Sequence, residues 1–226
     1  FGKATSRDGN LIINADKFIY RLKDKILKAS GNGSIIVKDD DLEILFSDLI
    51  FNQNTSLITL NGNVQFIEKK KGLEIYTSST ILNQNENYLQ SNTKSRIIDK
   101  FNNSYLVNKF YYEIDNDLLK VEDLIFTDTK KNKLVSSLAY LNLINGKLFS
   151  KDTELNLASS NESGNEPRIK GKSVTNDNEF TEIKKGVFTN CKKRDGCPPW
   201  KITSEKIKHD KKNKIINYEN AKFYIY

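Results

Sequence analysis

The sequence predicts an all-β fold, and three observations predict it. Apolar residues recur at every second position rather than at helical spacing, as in Leu57-Ile-Thr-Leu-Asn-Gly-Asn-Val-Gln-Phe66 and Lys201-Ile-Thr-Ser-Glu-Lys-Ile207. Polar turn clusters punctuate the chain about every 8–12 residues. β-Branched and aromatic residues are plentiful, Ala is scarce and Met is absent. At 37% hydrophobic and 29% charged residues a core can form. No apolar run approaches the ~18 residues of a membrane helix. Three prolines and 11 glycines among 226 residues exclude collagen-like and proline-rich chains.

The elements follow from a repeat of 31 residues. The first strand of each unit aligns Leu11, Leu42 and Leu73, then Ile13, Ile44 and Ile75, then Asp16, Ser47 and Ser78, then Ile19, Ile50 and Ile81. The second strand aligns Leu27, Ile58 and Leu89, and further on Ile35, Phe66 and Ile97, with Gly31-Asn32 over Gly62-Asn63. A turn repeats as Asn52-Gln53-Asn54 and Asn83-Gln84-Asn85. A fourth copy, one residue shorter, sets Lys109-Phe-Tyr-Tyr112 over Lys17-Phe-Ile-Tyr20. The pattern blurs after Leu134 and returns where Ile202-Thr-Ser-Glu-Lys-Ile207 repeats Ile13-Asn-Ala-Asp-Lys-Phe18. Each unit thus predicts two strands of roughly ten residues, about 30 Å long at ~3.3 Å per residue. One hairpin cannot bury its apolar face alone, so successive units stack edge to edge, about seven in all. Period-2 spacing puts Leu27, Ala29, Gly31, Gly33, Ile35 and Val37 on one face, and Ile58, Leu60, Gly62, Val64 and Phe66 on the matching face of the next unit. Thr59 and Gln65 point the other way. Glycines on that face either leave space within it or accommodate strand curvature. Loop composition at Ser159–Pro167 marks a crossing, dividing the chain into a repeat region 1–158, a loop crossing 159–170 and C-terminal β repeats 171–226.

A net charge of +7 suits an acidic partner: nucleic acid, an anionic membrane surface or a phosphorylated lipid. Nucleic acid is disfavoured, because no recognition motif is present and the aromatics alternate inward instead of forming a stacking platform. The lysine clusters 69–71, 130–131, 184–185, 192–194 and 211–212 mostly fall at expected turns and read as solvated tips. His209 is the single histidine, so neither a zinc site nor catalysis through His209-Asp210 has a constellation to rest on. The reading is of a protein that is not an enzyme and implies no cofactor or metal. A chain starting at Phe1 without any Met reads as a processed or excised piece.

The motif Ile-x-Ala-Asp-x-Phe-x-Tyr, a turn, then Leu-x-x-x-Gly-Asn stands here as Ile13-Asn-Ala-Asp-Lys-Phe-Ile-Tyr20 and Leu27-Lys-Ala-Ser-Gly31-Asn32. It resembles the OstA-like units of lipopolysaccharide-transport proteins, as does Leu60-Asn-Gly62-Asn63-Val64-Gln-Phe66. Cys197-Pro-Pro-Trp200 through His209-Asp210, followed by Asn217-Tyr-Glu-Asn-Ala221-Lys-Phe-Tyr-Ile225, resembles the segment preceding the barrel in the LptD family of outer-membrane assembly proteins. That resemblance implies an elongated, twisted β-jellyroll (a β-taco) forming a periplasmic domain of a Gram-negative outer-membrane protein. It implies no catalysis, and lipopolysaccharide as cargo, with acyl chains inside and phosphorylated sugars outside. The implied partners are an LptA-like bridge protein docked by edge-strand addition, and the chain's own C-terminal barrel beyond Tyr226 with its plug lipoprotein LptE. Lipid contact is expected at Leu27, Ile35, Ile58, Leu60, Val64 and Phe66. In an exported chain Cys191 and Cys197 are close enough to pair locally, whereas the family joins this domain to the barrel by disulfides. A stand-alone LptA-like carrier and a structural β-solenoid are the alternative readings.

Overall fold

A computed structural model of the chain describes residues 2–6, 9–39, 41–158, 166–192 and 198–226. The described residues contain no helix, and their strands pair with antiparallel neighbours, so the expected all-β class of stacked two-strand units is what forms. The chain divides into two compact units, Phe1–Asn116 and Asp117–Tyr226.

The first unit holds β1 (Gly2–Thr5), β2 (Leu11–Ala15), β3 (Lys17–Arg21), β4 (Ile26–Val37), β5 (Leu42–Asn52), β6 (Leu57–Glu68), β7 (Leu73–Asn83), β8 (Tyr88–Ser91), β9 (Ser95–Ile98), β10 (Ser104–Val107) and β11 (Lys109–Glu113). The repeat survives intact in space: β4 and β6 begin 31 residues apart, as do β5 and β7. Lys25, Ser56 and Asn87, at the same interval, close successive hairpin turns with positive φ. Turns are also linked to each other, since Gln53 N donates to Lys25 O and Gln84 N to Ser56 O, both at 3.1 Å.

In the first unit simple alternation holds through β4 and β6 but fails at the middle of β5 and β7. In β5 the buried residues run Ile44, Phe46, then Leu49; in β7 they run Ile75, Thr77, then Thr80. A step of three replaces a step of two, and the register shifts there by one residue. The facing strands accommodate this corner with Gly31-Asn32 and Gly62-Asn63, all four at positive φ, which glycine and asparagine tolerate best. Elsewhere the corner breaks the strand outright, so β2 and β3 pair with opposite halves of β4, and β8 and β9 with opposite halves of β7. Each hairpin is therefore folded, jellyroll-like, into two half-sheets. The glycines serve this curvature. A Cβ on Gly62 would lie 2.6 Å from Ser47 Cβ, one on Gly31 would lie 2.5 Å from Asp16 Oδ2, and one on Gly33 would collide with the Phe46 ring. Of the two readings of these glycines, space within the face or strand curvature, the contacts favour curvature, with Phe46 occupying the volume beside Gly33.

The second unit holds β12 (Leu118–Thr127), β13 (Lys133–Asn142), β14 (Leu148–Asn156), β15 (Arg168–Asn176), β16 (Phe180–Thr189), β17 (Trp200–Asp210), β18 (Ile215–Glu219) and β19 (Lys222–Ile225). Its sequence repeat is blurred, yet the corner is kept. Buried residues again step by three at Val121/Leu124, Ser136/Ala139, Ser150/Thr153, Ile183/Gly186 and Ser204/Ile207. Asp123, Asp152 and Lys185 take positive φ beside these steps. Lys184-Lys185 therefore lies at a mid-strand corner and not at a hairpin tip, unlike Lys69–Lys71 and Lys211-Lys212. Corner hydroxyls face carbonyls: Ser136 Oγ lies 2.6 Å from Lys151 O, and Ser204 Oγ 2.6 Å from Glu219 O. Residues 159–165 of the expected crossing lie outside the described residues, and β15 begins at Arg168.

Candidate functional site

Cross-strand register decides which side chains share the inner face. In the first unit it aligns Ile13, Ile35, Ile44, Phe66, Ile75, Ile97 and Tyr105 across seven strands in one half-sheet. In the other half it aligns Tyr20, Leu27, Phe51, Ile58, Leu82, Leu89 and Tyr112. Four of the expected lipid contacts, Ile35, Phe66, Leu27 and Ile58, fall on these two ladders. Leu60 opposes Leu49 on a third, and Val64 opposes Thr77 at the corner. Ile35, Ile58, Leu60, Val64 and Phe66 are at most 1% exposed, packed as a closed core. Leu27 is half-buried beside Tyr20 at the β3 edge, where Tyr20, Ile19 and Leu22 are exposed.

The second unit builds the same ladders but leaves them open at one end. Phe126, Leu134, Leu155, Ile169, Phe188, Ile202 and Phe223 oppose one another through β12–β17 and β19. Val121, Ala139, Ser150, Val174, Ile183, Ile207 and Tyr218 do so in the other half. The first is half-buried apart from the buried Leu134, the second is buried from Val121 to Ile207, and both are exposed at β18 and β19. Leu134 is 6% exposed, Phe223 59% and its neighbour Ile225 77%; Val121 is fully buried, while Tyr218 and Ile216 are exposed. The opposite face in the same half-sheet reads Val135, Glu154, Lys170, Val187, Thr203 and Lys222, with a 3.0 Å ion pair between Lys170 and Glu154. Alternation thus puts the charges of this half-sheet, Glu154, Lys170 and Lys222, on the face opposite the apolar ladder.

Trp200 anchors the open end. Its ring centroid stands 5.8 Å from both Phe188 and Phe223, edge-on to the first. Its carbonyl accepts from Thr189 Oγ1 at 2.8 Å, and Tyr226 N donates to Pro199 O at 2.9 Å, tying β19 to the strand start. Arg168 Nη1 donates to Cys191 O at 2.6 Å. The expected partner of Cys191, Cys197, lies outside the described residues, as do Lys193 and Arg194. Around the rim, Lys206 sits 3.3 Å from Glu182 and 3.5 Å from Glu219, and the bond to Glu182 holds its ammonium above the ordinary lysine value. Burial lowers Lys211, whose Nζ donates to Asn176 Oδ1 and Asp177 O. Asp210 is occupied structurally: its carboxylate accepts from Asn213 N and Nδ2, both at 2.9 Å, which holds its pKa below the ordinary carboxylate value. Among the described residues no group of three or more His, Cys, Asp or Glu stands together as a metal site.

The arrangement offers alkyl chains a continuous apolar wall whose charges lie on the other side. Sequence reading missed that wall's open end at Phe188, Trp200, Ile202, Phe223 and Ile225. The alternation of Trp200-x-Ile202 and of Phe223-x-Ile225 was its signal, and only the pairing of β17 with β19 joins the two runs. No family model matches the sequence, and no curated protein matches it. In structure, 15 solved chains are similar. One is LptH, described as the LptA-homologous periplasmic component of the lipopolysaccharide transport device of Pseudomonas aeruginosa, with a TM-score of 0.46 and 13% identity over 53% of this chain and 86% of that one.

Proposed function

We propose that this chain is a non-catalytic carrier of lipopolysaccharide in the periplasm, holding acyl chains against its inner apolar ladders while the sugars stay outside. The observation that carries the reading is the apolar ladder of the second unit, where Leu155, Ile169, Phe188 and Ile202 line up across four strands and are only half-buried. Contiguous, partly exposed apolar surface of this kind marks a binding site. The OstA-like motif supports the cargo assignment, and the Cys197–Ile225 segment supports placement as the N-terminal domain of an LptD-type protein, receiving lipid from an LptA-like bridge and passing it to a barrel plugged by LptE. The same wall serves equally in a stand-alone LptA-like carrier. Tight packing around Ile58 and Phe66 favours a different reading, a purely structural stack, for the first unit taken by itself.

Photo-crosslinking separates these. Probes at Phe223 and Ile225 capture lipopolysaccharide most strongly, Leu27 follows, and Ile35, Ile58, Leu60, Val64 and Phe66 give capture only if the first unit's strands part to admit a chain. Capture solely from the outward Thr59 and Gln65 overturns the carrier reading, and absence of saturable binding anywhere establishes the scaffold.

A further inference from the structure

We propose that a cleft of about 430 Å³ on the outer face of the second unit, between β16, β17 and β19, binds a phosphorylated sugar. The cleft exists because two backbone devices coincide. The neighbour of β17 is split into β18 and β19 around Asn220, which takes positive φ, so β17 has no continuous strand beside Ser204 and Glu205. On the other side Lys185, also at positive φ, bends β16, so that the backbone of Gly186 lies at the cleft.

What lines the cleft determines what it accepts. Val187, Thr203 and Lys222 are direct cross-strand neighbours and form one wall. The Tyr224 ring closes one end, steadied by Lys201 Nζ 5.2 Å from its centroid. Together Val187 and Tyr224 present an apolar surface to the C–H face of a sugar ring. Glu205 is oriented by a 2.7 Å bond from Asn220 Nδ2, which leaves a carboxylate–amide pair to receive and donate hydroxyl hydrogen bonds. Lys185 and Lys222 supply two ammonium groups. Among the described residues the ion pairs of this face involve Lys170 and Lys206. An alkyl chain would leave these polar groups without partners, a long polyanion would meet the Glu205 carboxylate, and a neutral sugar would not engage the lysines. A sugar bearing phosphate satisfies all of them, and the volume lies within the ~300–1,000 Å³ of small-molecule sites.

The site stands on its own geometry. Its natural source, the headgroup of a carried lipid, rests on the carrier reading, and a free sugar phosphate is the other source. Amide NMR of the whole chain tests both, using glucosamine 1-phosphate, glucosamine and inorganic phosphate as probes. Saturable shifts centred on Gly186, Thr203, Lys222 and Tyr224 are expected with the sugar phosphate, with affinity at least tenfold weaker for either fragment. Lys185→Ala with Lys222→Ala is expected to abolish them. Equal response to inorganic phosphate, or shifts elsewhere, overturns the proposal. Tighter binding of a deacylated, phosphorylated headgroup oligosaccharide than of glucosamine 1-phosphate assigns the lipid source, and equal binding assigns the free sugar. Phe223→Asp with Ile225→Asp removes acyl capture but preserves the sugar-phosphate response. Acyl capture without that response overturns this site alone; the response without acyl capture overturns the carrier reading alone.

Discussion

Gly62 shows how a single position can hold a corner. Its φ of +77° and the 2.6 Å approach of Ser47 Cβ oppose any side chain, whereas Gly146 has a similar φ of +68° with open space around it. Gly62→Ala is expected to lower stability by roughly 2–3 kcal/mol and Gly146→Ala by about 1 kcal/mol, read from urea midpoints at constant slope. Asp177 and Asp210 illustrate a second local device. Backbone amides of Phe180 and Glu179 bond the first carboxylate, and the amide of Asn213 the second, so both titrate below the ordinary ~3.9. Because the folded value is depressed, their contribution is complete above pH ~3.9 and disappears as pH falls through the lowered folded value. Side-chain carboxyl shifts followed by NMR should give midpoints below the unfolded value. Midpoints at or above it would contradict the turn geometry.

Ladders connect these residues into elements, and the closed and open ladders behave differently when truncated. Leu60→Ala removes a fully buried side chain and is expected to cost about 2–5 kcal/mol. Phe223→Ala removes one that is already 59% exposed, so stability is expected to change by less than ~1 kcal/mol while acyl capture falls; thermal melts beside crosslinking yields read both. At this scale the sequence was informative about pitch and about the faces of β4 and β6, and silent about the corner in β5 and β7. Leu11, Leu42 and Leu73 announced strand starts that the structure keeps, and Gly31-Asn32 and Gly62-Asn63 announced a special backbone. The alternation of Ala29, Gly33 and Ile35 in β4 and of Ile58, Leu60, Val64 and Phe66 in β6 is kept in the buried face, whereas alternation could not show the step of three on the facing strands β5 and β7. In the second unit, Ser136 and Ser204 make the corner through hydroxyl–carbonyl contacts with no repeated glycine, so no pattern flagged it. The open wall was invisible for another reason: exposure depends on what pairs beyond Phe223, and period-2 spacing looks alike in a core and in a binding face.

For the whole molecule, order should follow the burial of each strand within its own unit. β6, paired on both sides and with Ile58, Leu60, Val64 and Phe66 at most 1% exposed, is expected to retain amide protons longest, and β18 and β19, exposed throughout, to exchange first. Hydrogen-exchange mass spectrometry would contradict this if β19 peptides proved as protected as those of β6. The 31-residue pitch also constrains how such a chain can change length. Four residues separate Val37 from Leu42 and Glu68 from Leu73, the pairs that close two successive turns. In the shortened fourth copy five residues separate the paired Ile98 and Ser104, where six separate the matching pairs Ile36–Glu43 and Ile67–Glu74, and Asp99 N donates to Asn103 O within the turn, so the missing residue was taken from a tip. A deletion inside a strand would turn every later side chain of that strand inside out. Insertions and deletions are thereby channelled into the tips, and growth of the stack into whole hairpins, which makes the mid-strand corner a ruler against which the lineage of such chains can be counted.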